Sequence, residues 1–421
     1  MKRILSVFLA AILIACSLSV CGMTSFAAEA KNGDVDGNGT VNASDALFIL
    51  DFSAGDGKLS SKQKKAADLN GDGKINSSDA LFILEISVGI RIFENGINIC
   101  LPDYSLDPAW MSTVVENYKE FIGDTASGGK IPVIVSTDQH GSIKADSEIF
   151  KFINDLVDWN KISKIISLGD TVELLYWIPQ LKAYSKATEC LPAEKRLDLE
   201  GNHDAHISLI KKDMTKYFPA YGAEYAADNT AFSVADESFN VRYLTVNPMG
   251  YPWTYKSGKI STKQADFIVA ELEKKDASDI VLLAHPYLFS DAVVRRDGST
   301  FTGSDTFIGN KTVRQSFLDM LKARKDKTAG VFTDSEGREH PYDFSKCRGE
   351  LLMSLHGHHH TEGYETQNGI TQFMFQSMRH NGSVDDSEPN CFYFAYIDGT
   401  NKKFKCWKNI AGYSAWEIDI A

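Results

Sequence analysis

Arg196-Leu197-Asp198-Leu199-Glu200-Gly201-Asn202-His203-Asp204 is the stretch on which the fold turns. Its first four residues alternate charged and apolar and predict a short strand. Gly201 lets the backbone bend sharply where that strand ends. An amide, an imidazole and a carboxylate then arrive together at the bend, and all three are metal-ligating or acid–base groups. Alone the tetrapeptide is weak evidence, because Asn and Asp are common in turns. The test is whether other strand ends carry matching groups.

They do. Helical runs over 108–121, 147–159 and 262–275 alternate with short apolar runs at 132–135, 162–168, 196–199, 241–246, 280–283 and 351–355. That alternation predicts α/β architecture. Three further runs, 371–375, 391–397 and 403–407, read as strands toward the C-terminus. After the first strand come Asp138-Gln139-His140, after the second Gly169-Asp170-Thr171-Val172-Glu173, and after the third the tetrapeptide above. His285 follows 280–283, and His356-Gly357-His358-His359-His360 follows 351–355. In open α/β sheets ligands bind outside the carboxyl ends of the strands. Five strand ends therefore aim Asp138, His140, Asp170, Asn202, His285, His358 and His360 at one place. Mixed carboxylate, amide and imidazole ligands suit Mn, Fe or Zn.

In that order the motifs resemble the calcineurin-like metallophosphoesterases, from about residue 130 to the C-terminus. The resemblance implies a four-layer α/β/β/α sandwich with two metal ions that activate water for attack on a phosphate ester. It assigns Asp138, His140 and His360 to the first metal and Asn202, His285 and His358 to the second. Asp170 bridges them, and His203 stays off the metals and faces the phosphate as the catalytic residue, able to protonate the leaving oxygen or to stabilise the charge developing there. Glu173 departs from the family, which has Asp or Asn there. No Tyr occupies that position, so the chain does not look like a purple acid phosphatase. His356 and His359 are extra, and His359 is expected to point away.

A duplication precedes this part. Asp34, Asp36, Asn38, Thr40, Asn42 and Asp45 form one twelve-residue loop with oxygen ligands at positions 1, 3, 5, 9 and 12 and glycine at position 6. Asp68, Asn70, Asp72, Lys74, Asn76 and Asp79 form the second, the position-7 residue in each loop offering its backbone carbonyl. Each loop runs into Ala-Leu-Phe-Ile-Leu. Both end in Asp where an EF-hand ends in Glu, and no entering helix precedes the first. In this the segment resembles a type I dockerin, the small all-α module that docks secreted enzymes to a cohesin of a scaffoldin, as in the cellulosome. The resemblance implies two bound Ca²⁺ and assigns cohesin choice to Ala43, Ser44, Ser77 and Ser78.

The 421 residues, 43% hydrophobic and 24% charged, are those of a soluble globular chain. A net charge of −12 argues against tight nucleic-acid or anionic-membrane binding. Lys2 and Arg3, an apolar run and small residues at Ala27 and Ala28 read as a secretory signal over 1–28. Leu13-Ile14-Ala15-Cys16 offers a lipoprotein reading that ranks below simple secretion. The expected organisation is a signal peptide at 1–28, a dockerin at 33–92, a linker and leading helix at 93–129 and a phosphoesterase domain at 130–421. The rival is a scaffold-associated binding or structural component that keeps the fold without catalysis.

Five cysteines beyond the signal are too few and too sparse for a disulfide framework. Asp398-Gly399 as a two-residue hairpin turn would set Cys391 opposite Cys406 and permit a bridge. Residues 286–349 separate two motifs and read as a lid or a surface elaboration. No Arg or Lys lies within the five ligand segments. The nearest alternatives are Lys144, Arg295, Arg296 and Arg379, while the aromatic loop 251–255 suits an organic arm. Diesters are therefore expected to be cut at least as well as monoesters.

Overall fold

The computed structural model describes residues 33–378 and 391–421, apart from 70–72, 88–90, 95–96, 101–105, 127, 142, 174–176, 206–230, 248–257, 289–291 and 303–309. The secretory signal, Asn70 and Asp72, His206, the aromatic loop 251–255 and Arg379 lie outside these residues. The chain separates into two compact units, one ending at Ser105 and one beginning at Leu106. Among the described residues no helix is long and apolar enough to cross a membrane.

The first unit is built on the duplication. Helices Ala43–Ala54 and Ser77–Ser87 pack on one another and bury the same positions, Ala46 with Ala80 and Ile49 with Ile83. Val35 and Leu69, each second in its loop, fill the same core. The last carboxylate of each loop clasps its own loop. Asp45 accepts from the backbone of Val35 (2.7 Å), Asp36 (2.9 Å) and Asn42 (2.9 Å), and Asp79 from Leu69 (3.1 Å) and Asn76 (2.9 Å). Ser61–Ala67 is a connecting helix closed by a Ser60–Gln63 capping box. Strands β1 (Arg91–Glu94) and β2 (Ile97–Cys100) form a hairpin that straddles the boundary expected at 92/93 between dockerin and linker.

The second unit holds two large sheets. One takes β3 (Lys130–Ser136), β4 (Lys164–Ser167), β5 (Arg196–Asp198), β16 (Tyr393–Asp398), β17 (Lys403–Lys408) and β18 (Trp416–Asp419). Its order is β18-β17-β16-β3-β4-β5. The other takes β6 (Ser233–Asp236), β7 (Val241–Thr245), β8 (Asp279–Leu283), β9 (Ala292–Val294), β10 (Thr300–Thr302), β13 (Leu351–His356), β14 (Gly363–Gln367) and β15 (Ile370–Met374). Its order is β10-β9-β14-β15-β13-β8-β7-β6. Strands β3, β4 and β5 run parallel, as do β7, β8, β13 and β15. Central strands such as β13 are buried at every position, which explains their unbroken apolar runs.

The sheets meet face to face through aromatics. Phe373 of β15 lies 4.6 Å from Phe404 and 5.4 Å from Trp416, ring centre to centre, and Phe375 lies 4.9 Å from Tyr393. Helix Pro108–Thr125 covers the outer face of the six-stranded sheet, with Phe121 stacked on Phe394. Tyr184, on helix Trp177–Ala187, packs against Phe150 of helix Ile143–Leu156 and bonds Asp198 of β5. Helices Thr262–Leu272 and Lys311–Asp326 cover the eight-stranded sheet through Ile268, Phe317 and Leu321. The result is α/β/β/α.

Two expectations are corrected. Asp398 pairs with Lys403, so the β16–β17 connection is four residues long and Cys406 faces Ala395 instead of Cys391. Both cysteines are free and buried. Segment 286–349, read as a lid or a surface elaboration, is in its described residues part of the scaffold: it contributes the edge strand β10 and its neighbour β9, the outer-layer helix Lys311–Asp326, and a hairpin of β11 (Ala329–Thr333) and β12 (Glu339–Asp343) beside that helix.

Phe373 has no exposed surface and joins the two sheets. Phe373→Ala is expected to cost about 3–5 kcal/mol through the cavity it leaves. A lowered urea midpoint with unchanged slope checks this.

Candidate metal centre

Every parallel strand with a motif ends at the same edge of its sheet, and the loops beyond them converge. Asp138 Oδ1 lies 3.3 Å from His360 Nε2, 3.8 Å from His140 Nε2 and 3.9 Å from His285 Nε2. His140 Nε2 and His360 Nε2 are 3.0 Å apart. Asp170 Oδ2 is 3.1 Å from His285 Nε2 and 3.9 Å from His140 Nε2, between the two halves. Asn202 Oδ1 lies 3.0 Å from His285 Nε2 and 2.8 Å from His358 Nδ1. All seven residues singled out from the sequence are therefore brought together.

Backbone conformation does much of the placing. Asp138, His140, Asp170, His358 and His360 all have positive φ, between 47° and 75°. Non-glycine residues adopt that region in only a few per cent of cases, Asn, Asp and His more often than others, so five such positions together mark loops held in place by their surroundings. Cross-loop bonds do the holding. Asp138 N donates to Gly169 O (2.9 Å) and His140 N to Asp170 O (2.9 Å). Asp138 Oδ2 accepts from Thr137 Oγ1 (2.6 Å) and His358 N (2.9 Å). Asp204 accepts from Gly201 N (2.9 Å), Val172 N (3.1 Å) and Thr171 N (3.2 Å), tying the third loop to the second. A Cβ on Gly201 would lie 2.2 Å from Asp170 Oδ1, and one on Gly357 would lie 1.9 Å from Thr137 Oγ1. Both glycines are there for close approach.

His203 sits beside this cluster and is partly exposed. Its backbone N–H donates to Asp170 Oδ1 (2.7 Å), and its ring meets that of His140 edge-on at 4.5 Å. Nδ1 lies 3.2 Å from Glu173 Oε1, and Glu173 Oε2 lies 3.4 Å from His140 Nδ1. Glu173 thus spans His203 and His140, a position that sequence alone did not assign. The Glu173 backbone N–H donates to Gln180 Oε1 (2.7 Å). His203 Nε2 is 3.9 Å from Asp170 Oδ2, close enough to belong to the same polyhedron of donors.

The other histidines separate clearly. His356 is fully buried, its Nδ1 2.7 Å from Pro286 O and its Nε2 2.8 Å from Ser354 Oγ. His359 packs its ring 4.8 Å from His358 and 5.6 Å from Phe301.

Asp138 and Asp170 are 0% and 1% exposed. Burial pushes their pKa values up, but the charges of His285 and its neighbours outweigh it, and both are held below the ordinary value. Burial pushes His285 down, yet the two carboxylates carry it up to about 9. Against the same burial, bonds to Asp138 and Glu173 carry His140 up to about 10. Burial first, then the charge of His285, takes His358 down to about 3. His203 is lowered chiefly by burial. The two carboxylates therefore draw positive charge into the site. Asp138 Oδ1 is buried with no hydrogen bond, a vacant acceptor aimed at three imidazoles. This donor set fits divalent cations, which would take over the charge that the imidazoles otherwise carry.

In the first unit Asp34, Asp36 and Asp45 bring carboxylate oxygens within 4.8 Å of one another. Asp34 Oδ1 and Asp68 Oδ1 are buried without a hydrogen bond, which fits a cation in each loop. Thr40 and Lys74 hold position 7, and Asn42 and Asn76 each cap their helix through Ser44 N and Ser78 N. Ser44, Ser77 and Ser78 are exposed and Ala43 is half-buried. Leu47, Phe48 and Leu81, in the apolar runs that follow the loops, are exposed beside them.

No curated protein sequence matches the chain. Among solved structures it is similar to a protein of Streptococcus pneumoniae described as a predicted phosphoesterase, 12% identical over 70% of this chain and 99% of that one, with a TM-score of 0.30. It is similar to a purple acid phosphatase from yellow lupin seeds, 15% identical over 70% and 54%, with a TM-score of 0.39. A putative 5'-nucleotidase of Staphylococcus aureus is 13% identical over 69% and 54%, with a TM-score of 0.35. Residues 32–85 match the family model described as the dockerin type I domain, and this segment of the chain is a type I dockerin.

Proposed function

We propose that the second unit is a metal-dependent phosphoesterase, secreted and docked through its dockerin to a cohesin of a scaffoldin. One observation carries the reading. Seven carboxylate, amide and imidazole side chains from five strand ends converge around Asp170, with Asp138 Oδ1 buried and unbonded among them. Asp138, His140 and His360 would hold one ion and Asn202, His285 and His358 the other, with Asp170 between them. Mn, Fe or Zn suits the mixture. When bound, such ions supply Lewis acidity to a phosphoryl group and lower the pKa of water.

The remaining work falls to the chain. Leu168 O, 2.8 Å from His285 Nδ1, leaves Nε2 as the nitrogen that faces the centre. Glu173 faces Nδ1 of His203, so Nε2 is the atom free to meet the leaving oxygen. There it can deliver a proton or stabilise developing charge. Thr137 and the His358 N–H occupy Asp138 Oδ2 and so fix which oxygen points inward.

The test is turnover of a chromogenic aryl phosphate by the full chain with added Mn²⁺. His203→Ala is expected to lower kcat by about 10²–10⁴ with metal content retained. Asp170→Ala is expected to lose metal, read by elemental analysis. Loss of metal from the His203 variant would make His203 a ligand, and no turnover by the native chain would favour the non-catalytic rival.

Dockerin domains bind calcium and cohesins, and the crowded loop carboxylates here repel one another without a cation. Calcium chelation is expected to unfold the first unit and abolish cohesin binding. Undiminished binding in excess chelator would refute this linkage.

A further inference from the structure

His356 is an imidazole without exposed surface, in a strand whose other side chains are apolar apart from Ser354. Both of its ring nitrogens are engaged, Nδ1 at 2.7 Å from Pro286 O and Nε2 at 2.8 Å from Ser354 Oγ. A carbonyl only accepts, so Nδ1 carries the proton and donates, while Nε2 accepts from the Ser354 hydroxyl. Ser354 lies two residues back on the same face of the strand, so its hydroxyl sets the rotation of the ring. Tyr287 packs edge-on against that ring at 5.1 Å.

The bond to Pro286 joins two ligand loops. Pro286 follows His285, and His356 precedes His358 by two residues. Strands β8 and β13 are parallel neighbours, and their backbone ladder runs on past the strand ends. Ala284 N donates to Leu355 O (3.1 Å) and Gly357 N to His285 O (2.8 Å). Pro286 has no N–H with which to extend it. The His356 side chain supplies a further cross-link there, to the Pro286 carbonyl. On its other side His356 O accepts from Phe375 N (2.9 Å), just past β15.

The loops joined in this way bring His285 Nε2 and His358 Nδ1 to one oxygen, Asn202 Oδ1, at 3.0 and 2.8 Å, with ring centres 5.2 Å apart. These three groups would hold one ion. Of the other ion's ligands only His360 lies on this loop. Asp138 and His140 are held from Gly169 O and Asp170 O instead.

We propose that His356 is a positioning residue for the ion held by Asn202, His285 and His358, its Nδ1–H bond to Pro286 O setting the separation of the two imidazoles. This role rests on the metal-centre reading and goes beyond it, because His356 has both nitrogens engaged elsewhere and is no ligand.

Mn²⁺ binding to the full chain tests it, by equilibrium dialysis and elemental analysis, with excess Ca²⁺ to fill the loops of the first unit. The native chain is expected to take up two Mn²⁺. His356→Leu removes both bonds and should weaken one Mn²⁺ about 10–100-fold, the range for groups that orient metal ligands, while sparing the other. A merely structural role would lower stability without favouring one ion. Asn202→Ala removes a ligand of the affected ion alone, so adding His356→Leu to it should leave the remaining Mn²⁺ bound as before. His356→Asn keeps an N–H near the Nδ1 position and should recover most of the lost affinity. His356→Gln, whose amide reaches toward Ser354, should behave like the Leu variant. Should His356→Leu fail to fold, the Asn and Gln variants decide, since each keeps one of the two bonds. Unchanged binding of both ions, equal weakening of both, or recovery by Gln as full as by Asn would overturn this role and leave the metal centre standing. Fewer than two Mn²⁺ on the native chain would remove the metal-centre reading as well.

Discussion

Two carboxylates with almost no access to water, Asp138 and Asp170, are the constraint around which the larger unit is arranged. A buried unpaired carboxylate is costly, so donors and cations are gathered around these two. Backbone N–H groups of His203 and His358, the Thr137 hydroxyl and the imidazoles of His140, His285 and His360 share that work. These partners come from four loops, so satisfying one charge also fixes the relative placement of four strands. The sheets and their outer helices serve that placement by holding strand ends at one edge.

Strain is the second consequence. Five of the seven converging residues sit in left-handed backbone, which non-glycine residues seldom adopt. Such conformations persist only if their surroundings over-determine them. Here the determinants are visible: Asp204 clasping three backbone N–H groups, and glycines at 201 and 357 where any side chain would collide with Asp170 or Thr137. Packing alone would favour relaxed turns at these positions. The strain is therefore best read as the cost of aiming side chains that the proposed chemistry uses.

Much of this was legible from residues because it is local. A strand-sized apolar run followed by Gly-Asp or Gly-Asn-His-Asp predicts both a turn and the group that the turn presents. What was not legible depends on register and on long-range contact. Strands β9, β10 and β18 are short, at or next to a sheet edge, with weak alternation, and only their pairing makes them strands. The Cys391–Cys406 pairing failed because a four-residue connection shifts every partner across β16 and β17. Helix Lys311–Asp326 was hidden in a segment read as a lid or a surface elaboration, although it covers the eight-stranded sheet. Glu173 gave no signal beyond its departure from the family. The extra methylene relative to Asp is consistent with its reaching His140 and His203 together. That Arg296 pairs with Glu362 and lies over Trp416 cannot be read from its position in the sequence, because both contacts are long-range.

Ligand chemistry then divides the chain's ions between its two units. The first offers carboxylate, amide and backbone oxygens on twelve-residue loops, which is hard-cation chemistry. The second offers five imidazoles with two carboxylates and one amide held by strained, cross-linked turns, counting His203, which favours borderline ions. Calcium has little reason to displace an imidazole-bound ion, and a transition ion gains little from an all-oxygen loop. The two units therefore need not compete for metal within one chain. On the functions proposed, docking and hydrolysis would answer to different ions, and the presence of one activity would not guarantee the other.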